Sequence, residues 1–375
     1  MSKLKPFLMA AALPAFVMTA PATLATEGEL EERICNREDF AGCLNGVSSS
    51  VTNGAGLRMS GSALDDVARE RAGKSVEQNT QAARRGEQTG LNAGDGMGGS
   101  VFGLWGNYSY NDFDSDFAFQ GTSLAYDADA HNVLGGFDRL FGERVLLGVA
   151  FGYQWLETDT RFNGGGQDSD GFTVAPYAAV LLSDIFSIDV SGGYSSLEYD
   201  QSRISPADGT GIEANFDSDR WFVATNLNAF LPVDRFIFGA KIGYLYTEED
   251  QDAYLETGST ASANAGLLRT VASRNIDLEQ LVVGGEIAYD AGNNFEPFFI
   301  AEYRNDLSRS NGNGAGGLPG NFTAVQAGDD DEVQLSAGFR YYTNWGVTTS
   351  FEYQRVEGHK DFDSNLYMLT LRTAL

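Results

Sequence analysis

The chain has 375 residues, with 52 acidic against 25 basic side chains and a net charge of −27. That balance excludes nucleic acid as a partner, because an acidic surface repels phosphate, and the length allows one large domain. Glycine is abundant at 45 residues and proline scarce at 8, which suits long strands joined by tight turns.

At the N-terminus, Lys3 and Lys5 precede an apolar stretch from Phe7 to Met18, and Thr23 and Ala25 stand where a signal peptidase reads small residues. Residues 1–25 are read as a signal peptide for Sec-type export, removed after Ala25; the apolar run is too short to span a membrane as a helix. Residues 26–61 form a short exported or periplasmic segment. Its Cys35 and Cys43 bracket a small loop, and in an oxidising compartment the expectation is a disulfide. A metal site would need more ligands than this region offers.

Residues 62–98 read as a charged helix and a linker. Ser62 with Asp65 makes a capping box, Asp65–Arg69 and Glu70–Lys74 pair one turn apart, and Gly86 is a stop. Ser62–Arg85 also carries Asp66, Arg71, Glu77, Arg84 and Arg85. At roughly 1.5 Å per residue it would span roughly 36 Å, the height of a bilayer, yet its charges forbid a lipid-facing position.

Residues 99–375 change to a period of two. Val145, Leu147, Val149, Phe151, Tyr153 and Trp155 point one way, and Leu146, Gly148, Ala150, Gly152 and Gln154 the other. Phe186, Ile188 and Val190 alternate with Ser187, Asp189 and Ser191; Trp221, Val223 and Leu227 with Phe222, Asn226 and Asn228; Phe236, Phe238 and Ile242 with Lys241 and Gly243. Further on, Leu281, Val283 and Ile287 face away from Glu286, Phe299 and Tyr303 from Glu302 and Arg304, and Val333, Leu335 and Phe339 from Gln334 and Arg340. A charge in the middle of a lipid-facing row costs on the order of 2–4 kcal/mol, and here the charges keep to the other row. A soluble β-sandwich would not end its apolar face in aromatics. The fold class is therefore an all-β transmembrane barrel of about twelve antiparallel strands in a bacterial outer membrane, with outer-membrane lipid against its apolar row.

Short connections are expected at Phe141–Arg144, Ser183–Asp184, Pro232–Arg235, Ala291–Asn294 and Thr343–Gly346. Long ones are expected near Asp112–Asp127, Glu157–Asp170, Asp200–Asp217, Thr247–Asn275, Asp306–Asp330 and Glu357–Asp363. Short turns belong to the periplasmic side and long loops to the outside, so the strand count is even and the chain enters and leaves from the periplasm. Much of the acid falls in the expected external loops: Glu248, Glu249, Asp250 and Asp252, then Asp329, Asp330, Asp331 and Glu332.

An eight-stranded barrel is filled by its own side chains and one of sixteen leaves a channel, so a twelve-stranded lumen can hold one helix. The inner row offers both signs of charge to Arg69, Arg71 and Lys74 of the helix. Its members are Asp189, Lys241, Glu286, Glu302, Arg304, Arg340, Glu352 and Arg372. Arg340 and Arg372 are expected to point inward, near Glu302, Glu352 or acids of the helix. A solvated periplasmic helix is the alternative.

The residues that carry chemistry are few. His131 and His359 are the only histidines, and neither has a serine beside it in a nucleophile–base arrangement. Asp112, Asp114 and Asp116 alternate as oxygen ligands could, but the glycine and terminal glutamate of a calcium loop are missing. The expectation is no catalytic residue, no cofactor and no metal.

Three glycine–aromatic stretches carry a resemblance: Phe102–Tyr110, His131–Gln154 (HNVLGGFDRLFGERVLLGVAFGYQ) and Gly171–Tyr194. Together with the charged helix before the barrel, they make the chain similar to the translocator domain of the autotransporters, the type V secretion proteins. The resemblance implies a helix in the pore that tethers a secreted passenger, and the barrel assembly machinery and periplasmic chaperones as partners. The long loops could meet a surface ligand. The chain departs from the pattern in three ways. Only Thr26 to about Gly61 could be exported, the helix lacks the Asn-Asn pair at which some members cut, and the chain ends in Leu375 rather than an aromatic. The expectation is a translocator-type barrel with a very short or vestigial passenger; the alternative is a passive porin-like channel or a structural or adhesive barrel.

Overall fold

The computed structural model describes residues 102–374, except 117, 120–121, 124, 143, 162–163, 184, 311–330, 344–345 and 358–361. The signal peptide, Cys35, Cys43 and the Ser62–Arg85 segment with Arg69, Arg71 and Lys74 lie outside the described residues. Twelve long strands follow one another: β1 (Phe102–Ser115), β2 (Tyr126–Phe141), β3 (Val145–Thr160), β4 (Gly165–Leu181), β5 (Phe186–Ile204) and β6 (Gly211–Val233). The second half holds β7 (Phe236–Gln251), β8 (Arg274–Tyr289), β9 (Phe295–Ser310), β10 (Asp331–Tyr342), β11 (Val347–Glu357) and β12 (Phe362–Ala374). Each pairs antiparallel with its sequence neighbours, and β1 closes on β12 from Gly103–Ala374 to Ser115–Phe362. Closure removes the open edge of the sheet through the band where all twelve strands pair, and with it the template on which another chain could add there.

The alternation builds two faces. Along β3, Leu147, Phe151, Tyr153 and Trp155 are exposed, while Leu146, Ala150 and Gln154 are buried inside the barrel. The same phase holds on β5, β6 and β8 to β10, as the spacing predicts. The connections alternate as well. Two-residue Asp234–Arg235 joins β6 to β7, with Asp234 at φ 55°, a conformation that aspartate tolerates better than most residues. Residues 252–273 join β7 to β8 at the other end. Both ends of the described chain lie at the short-turn end, because Phe102 pairs with Arg139 near the β2–β3 turn.

The strands are longer than the apolar pattern alone predicts. The expected loop Glu157–Asp170 shrinks to residues 161–164, because β3 runs on to Thr160 and β4 begins at Gly165. The expected Asp200–Asp217 loop shrinks to 205–210, and the expected Thr247–Asn275 loop to 252–273. Glu248, Glu249 and Asp250 are therefore strand residues, and Glu249 is buried inside the barrel. The physical reason is that period two continues beyond the apolar stretch with different chemistry: Glu157 and Asp159 outside, Thr158 and Thr160 inside.

Glycines let the inner row close over its largest side chains. A Cβ at Gly136 would fall 2.5 Å from the Trp105 ring, and one at Gly148 2.3 Å from the Tyr177 ring. Trp105 and Tyr177 lie against each other there with centroids 6.3 Å apart, in a cluster with Leu134, Leu146 and Phe222.

Candidate functional site

The inner wall is polar and organised into ion-pair networks. Near the short turns, Arg372 donates from both terminal nitrogens to Asp138, at 2.9 and 2.8 Å. The Tyr177 hydroxyl donates to the same carboxylate at 2.8 Å and accepts from the Trp105 indole at 2.7 Å. On the facing wall, Arg340 donates to Glu286 and Glu296, each at 3.0 Å, and its guanidinium lies 4.0 Å from the Phe298 ring centroid. Higher up, Lys241 donates to Glu302 at 2.5 Å, Glu302 meets Arg304 at 3.4 Å, and Arg304 meets Glu332 at 3.9 Å. Asp189, 1% exposed, accepts amide N–H groups from Asn226 at 2.8 Å and Asn228 at 2.7 Å.

Asp189, Lys241, Glu286, Glu302, Arg304, Arg340, Glu352 and Arg372 all stand in phase with the buried residues of their strands. The partners differ from the expected ones: Arg340 holds Glu286 and Glu296, and Arg372 holds Asp138, with Glu296 and Asp138 outside the expected set. Both were open to the same parity argument, since Phe137 points outward and so sets Asp138 inward.

At the long-connection end, two further networks fix the mouth. Arg220, fully buried, donates from Nε to Glu249 at 2.7 Å. Glu249 also accepts from Tyr199 at 2.9 Å, Ser218 at 3.0 Å and Gln251 at 2.9 Å. Arg203 makes a two-point pair with Glu256 at 2.9 and 2.7 Å and donates to the Leu267 carbonyl at 2.7 Å. Glu256 and Leu267 belong to the 252–273 connection, so this pair ties that loop to β5. Tyr254 of the loop stacks on Phe216 at 4.7 Å, and Phe216 on Tyr199 at 4.9 Å. Phe216 and Tyr199 stand on the inner row, so the loop folds inward over the mouth instead of standing away from it.

The outer face is apolar and then abruptly acidic. Tyr110 donates to Asp129 at 2.5 Å, Tyr194 to Asp219 at 2.5 Å, Tyr246 to Glu248 at 2.8 Å, and Tyr153 to Asp170. These tyrosines mark one level around the barrel, with the apolar band on the short-turn side of them. His131 lies within this level, between the rings of Tyr110 at 4.9 Å and Trp155 at 5.0 Å, and shares a 2.9 Å hydrogen bond with Tyr108. It packs as an aromatic and faces no serine in these contacts; His359 lies outside the described residues.

A closed twelve-stranded antiparallel barrel with an apolar outer belt, an ion-paired inner wall and alternating short and long connections has the architecture of an outer-membrane-type barrel. Residues 104–354 match the family model described as the autotransporter beta-domain, and the chain belongs to that family. The barrel is its translocator domain, in a family of outer-membrane proteins. Among solved structures, the chain is similar to the translocator domain of autotransporter NalP from Neisseria meningitidis, at 12% identity and a TM-score of 0.60. That match covers 83% of this chain and 97% of that one. It is also similar to the beta domain of the Bordetella autotransporter BrkA, at 14% identity and a TM-score of 0.55, covering 73% of this chain and 100% of that one. At such identities the likeness is one of fold. No curated protein matches the sequence.

Proposed function

We propose that this translocator barrel lies in the outer membrane with its long connections outside, that Ser62–Arg85 occupies its lumen, and that residues 26–61 are what it delivers to the surface. The observation that carries the reading is the division of the wall into two rows. The outward apolar stretch Val145–Trp155 is eleven residues long, the length of a tilted transmembrane strand. The inner row is charged and fits a charged occupant. Toward the short-turn half its described ionic groups are Asp138, Asp189, Glu286, Glu296, Glu302 and Glu352 against Lys241, Arg304, Arg340 and Arg372, an acidic surplus. Ser62–Arg85 holds five of the chain's 25 basic residues against four acids, the opposite balance.

Sec-type export with loss of residues 1–25 precedes this state, and the barrel assembly machinery with periplasmic chaperones folds the barrel. The outward alternation of Tyr367, Leu369 and Leu371 along the closing strand β12 supports that step. Family membership disfavours the passive channel, and the role is transport, with no catalytic step. Deleting residues 26–90 tests the proposal. The expected outcome is a folded barrel with larger single-channel conductance in planar bilayers; unchanged conductance removes the helix from the lumen. A tag placed after Ala25 should be reached by membrane-impermeant label on whole cells.

A further inference from the structure

The outer face treats its arginines differently at its two ends. At the long-connection end two of them are engaged by acid: Arg161 donates from Nε to Asp127 at 2.8 Å, and Arg355 to Glu357 at 2.6 Å and Asp363 at 2.9 Å. At the short-turn end, Arg139 on the outward row of β2, Arg144 in the β2–β3 turn and Arg235 in the β6–β7 turn are all exposed. None of the three has a carboxylate within ion-pair distance among the described residues, in a chain with 52 acids. Two are held against rings instead. The Arg139 guanidinium lies 5.1 Å from the Phe102 centroid and 4.9 Å from that of Phe141, and Arg235 lies 4.9 Å from Tyr289. A guanidinium seated on a ring face keeps its in-plane N–H donors open to an anion.

We propose that this rim binds the phosphates of anionic glycerophospholipids in the leaflet at the short-turn end, through Arg139, Arg144 and Arg235. The inference rests on the membrane placement proposed above. The three stand where the apolar band ends, beside Phe102, Phe137, Phe141 and Phe236, which is the level of headgroups for a band facing acyl chains. A guanidinium fork fits a phosphate with two parallel hydrogen bonds. The spacing selects a lipid surface over a single small anion: Arg139 and Arg144 flank the β2–β3 turn, whereas Arg235 sits four strands further around the barrel. The sites face many headgroups and do not converge on one.

The test uses the full chain refolded in detergent, titrated with short-chain phosphatidylglycerol or phosphatidylcholine, with bound lipid counted by native mass spectrometry. The protein should retain phosphatidylglycerol in preference to phosphatidylcholine. Arg139→Gln, Arg144→Gln and Arg235→Gln should each lower that preference by about fivefold, and together abolish it. The single variants keep the test sharp should the triple variant fold poorly. Equal retention of both lipids, or a preference unmoved by the variants, would overturn the proposal. So would displacement of the lipid by inorganic phosphate, which would mark a free-anion site. Insertion into phosphatidylcholine vesicles, read as a heat-modifiable band on unboiled gels, separates the two readings. Insertion with no lipid preference overturns this inference alone, and failure to insert into any bilayer overturns the membrane placement with it.

Discussion

Arg220 and Glu249 face each other directly across β6 and β7, and both are buried. Such a pair adds little net stability, since desolvation offsets the attraction, but removing one partner strands the other. Arg220→Met should therefore destabilise the barrel by about 3 kcal/mol, the low end of the range for a broken buried pair, because Tyr199, Ser218 and Gln251 still donate to Glu249. Adding Glu249→Leu should restore most of the loss. Urea-induced unfolding in detergent, followed by gel mobility, measures both. Glycines on the two faces give a second test. Gly136→Ala would drive a methyl into the Trp105 ring, whereas a Cβ at Gly135 meets only the Trp105 carbonyl at 3.8 Å. The first should cost about 1–3 kcal/mol, as overpacking does, and the second should be nearly neutral.

At the scale of elements, the 252–273 connection is fastened at several points. Ser262 donates to Ser205 at 2.7 Å, Thr257 and Glu213 exchange backbone hydrogen bonds, and Ser259 donates to Asp208. The Ser259 hydroxyl, followed by that of Thr210 at 2.8 Å, holds the Asp208 carboxyl below the ordinary aspartate range. A carboxyl more acidic when docked than when free stabilises docking above its free value and loses that contribution as pH falls through its docked value. The loop should thus stay closed at neutral pH and loosen only below about pH 4. Amide hydrogen-exchange protection across 257–265 reads this, and Asp208→Asn should weaken the pH dependence.

The same region shows what the sequence could and could not display. The apolar band of each strand was legible because outward aromatics alternate with small or polar residues. The extensions were not, since Glu198, Asp200, Asp217 and Asp219 look like loop acids until the inner row of Tyr199, Gln201, Phe216 and Ser218 is counted with them. Carrying parity past Trp221 on β6 and past Tyr246 on β7 places Arg220 and Glu249 inward. Arg203–Glu256 depends on a loop folding back across 53 residues of chain, for which no local pattern exists. The alternation of one strand tells which face a charge occupies, but its pairing depends on strand register, which the pattern of one strand does not carry.

For the whole molecule, one closed sheet carries two chemically different faces, and each strand must build both at once. The outward row carries exposed Phe, Leu, Ile and Val from the short turns up to the tyrosine level, and the inward row carries the ionic networks. If the outer band faces lipid and the lumen is wet, the same substitution should have opposite consequences on the two rows. Val190 is outward, 45% exposed and midway between Phe186 and Tyr194 on β5. Met368 is inward on β12 and faces Glu352 across the ladder to β11. Val190→Arg would bring a guanidinium to the middle of the band, at a cost of about 2–4 kcal/mol. Met368→Arg would set one beside a carboxylate in a polar lumen and should change stability by less than about 1 kcal/mol. Refolding both variants into phosphatidylcholine vesicles and comparing their urea midpoints with that of the unmodified chain decides the matter. A larger loss from Met368→Arg than from Val190→Arg would show that the two faces have been assigned the wrong way round.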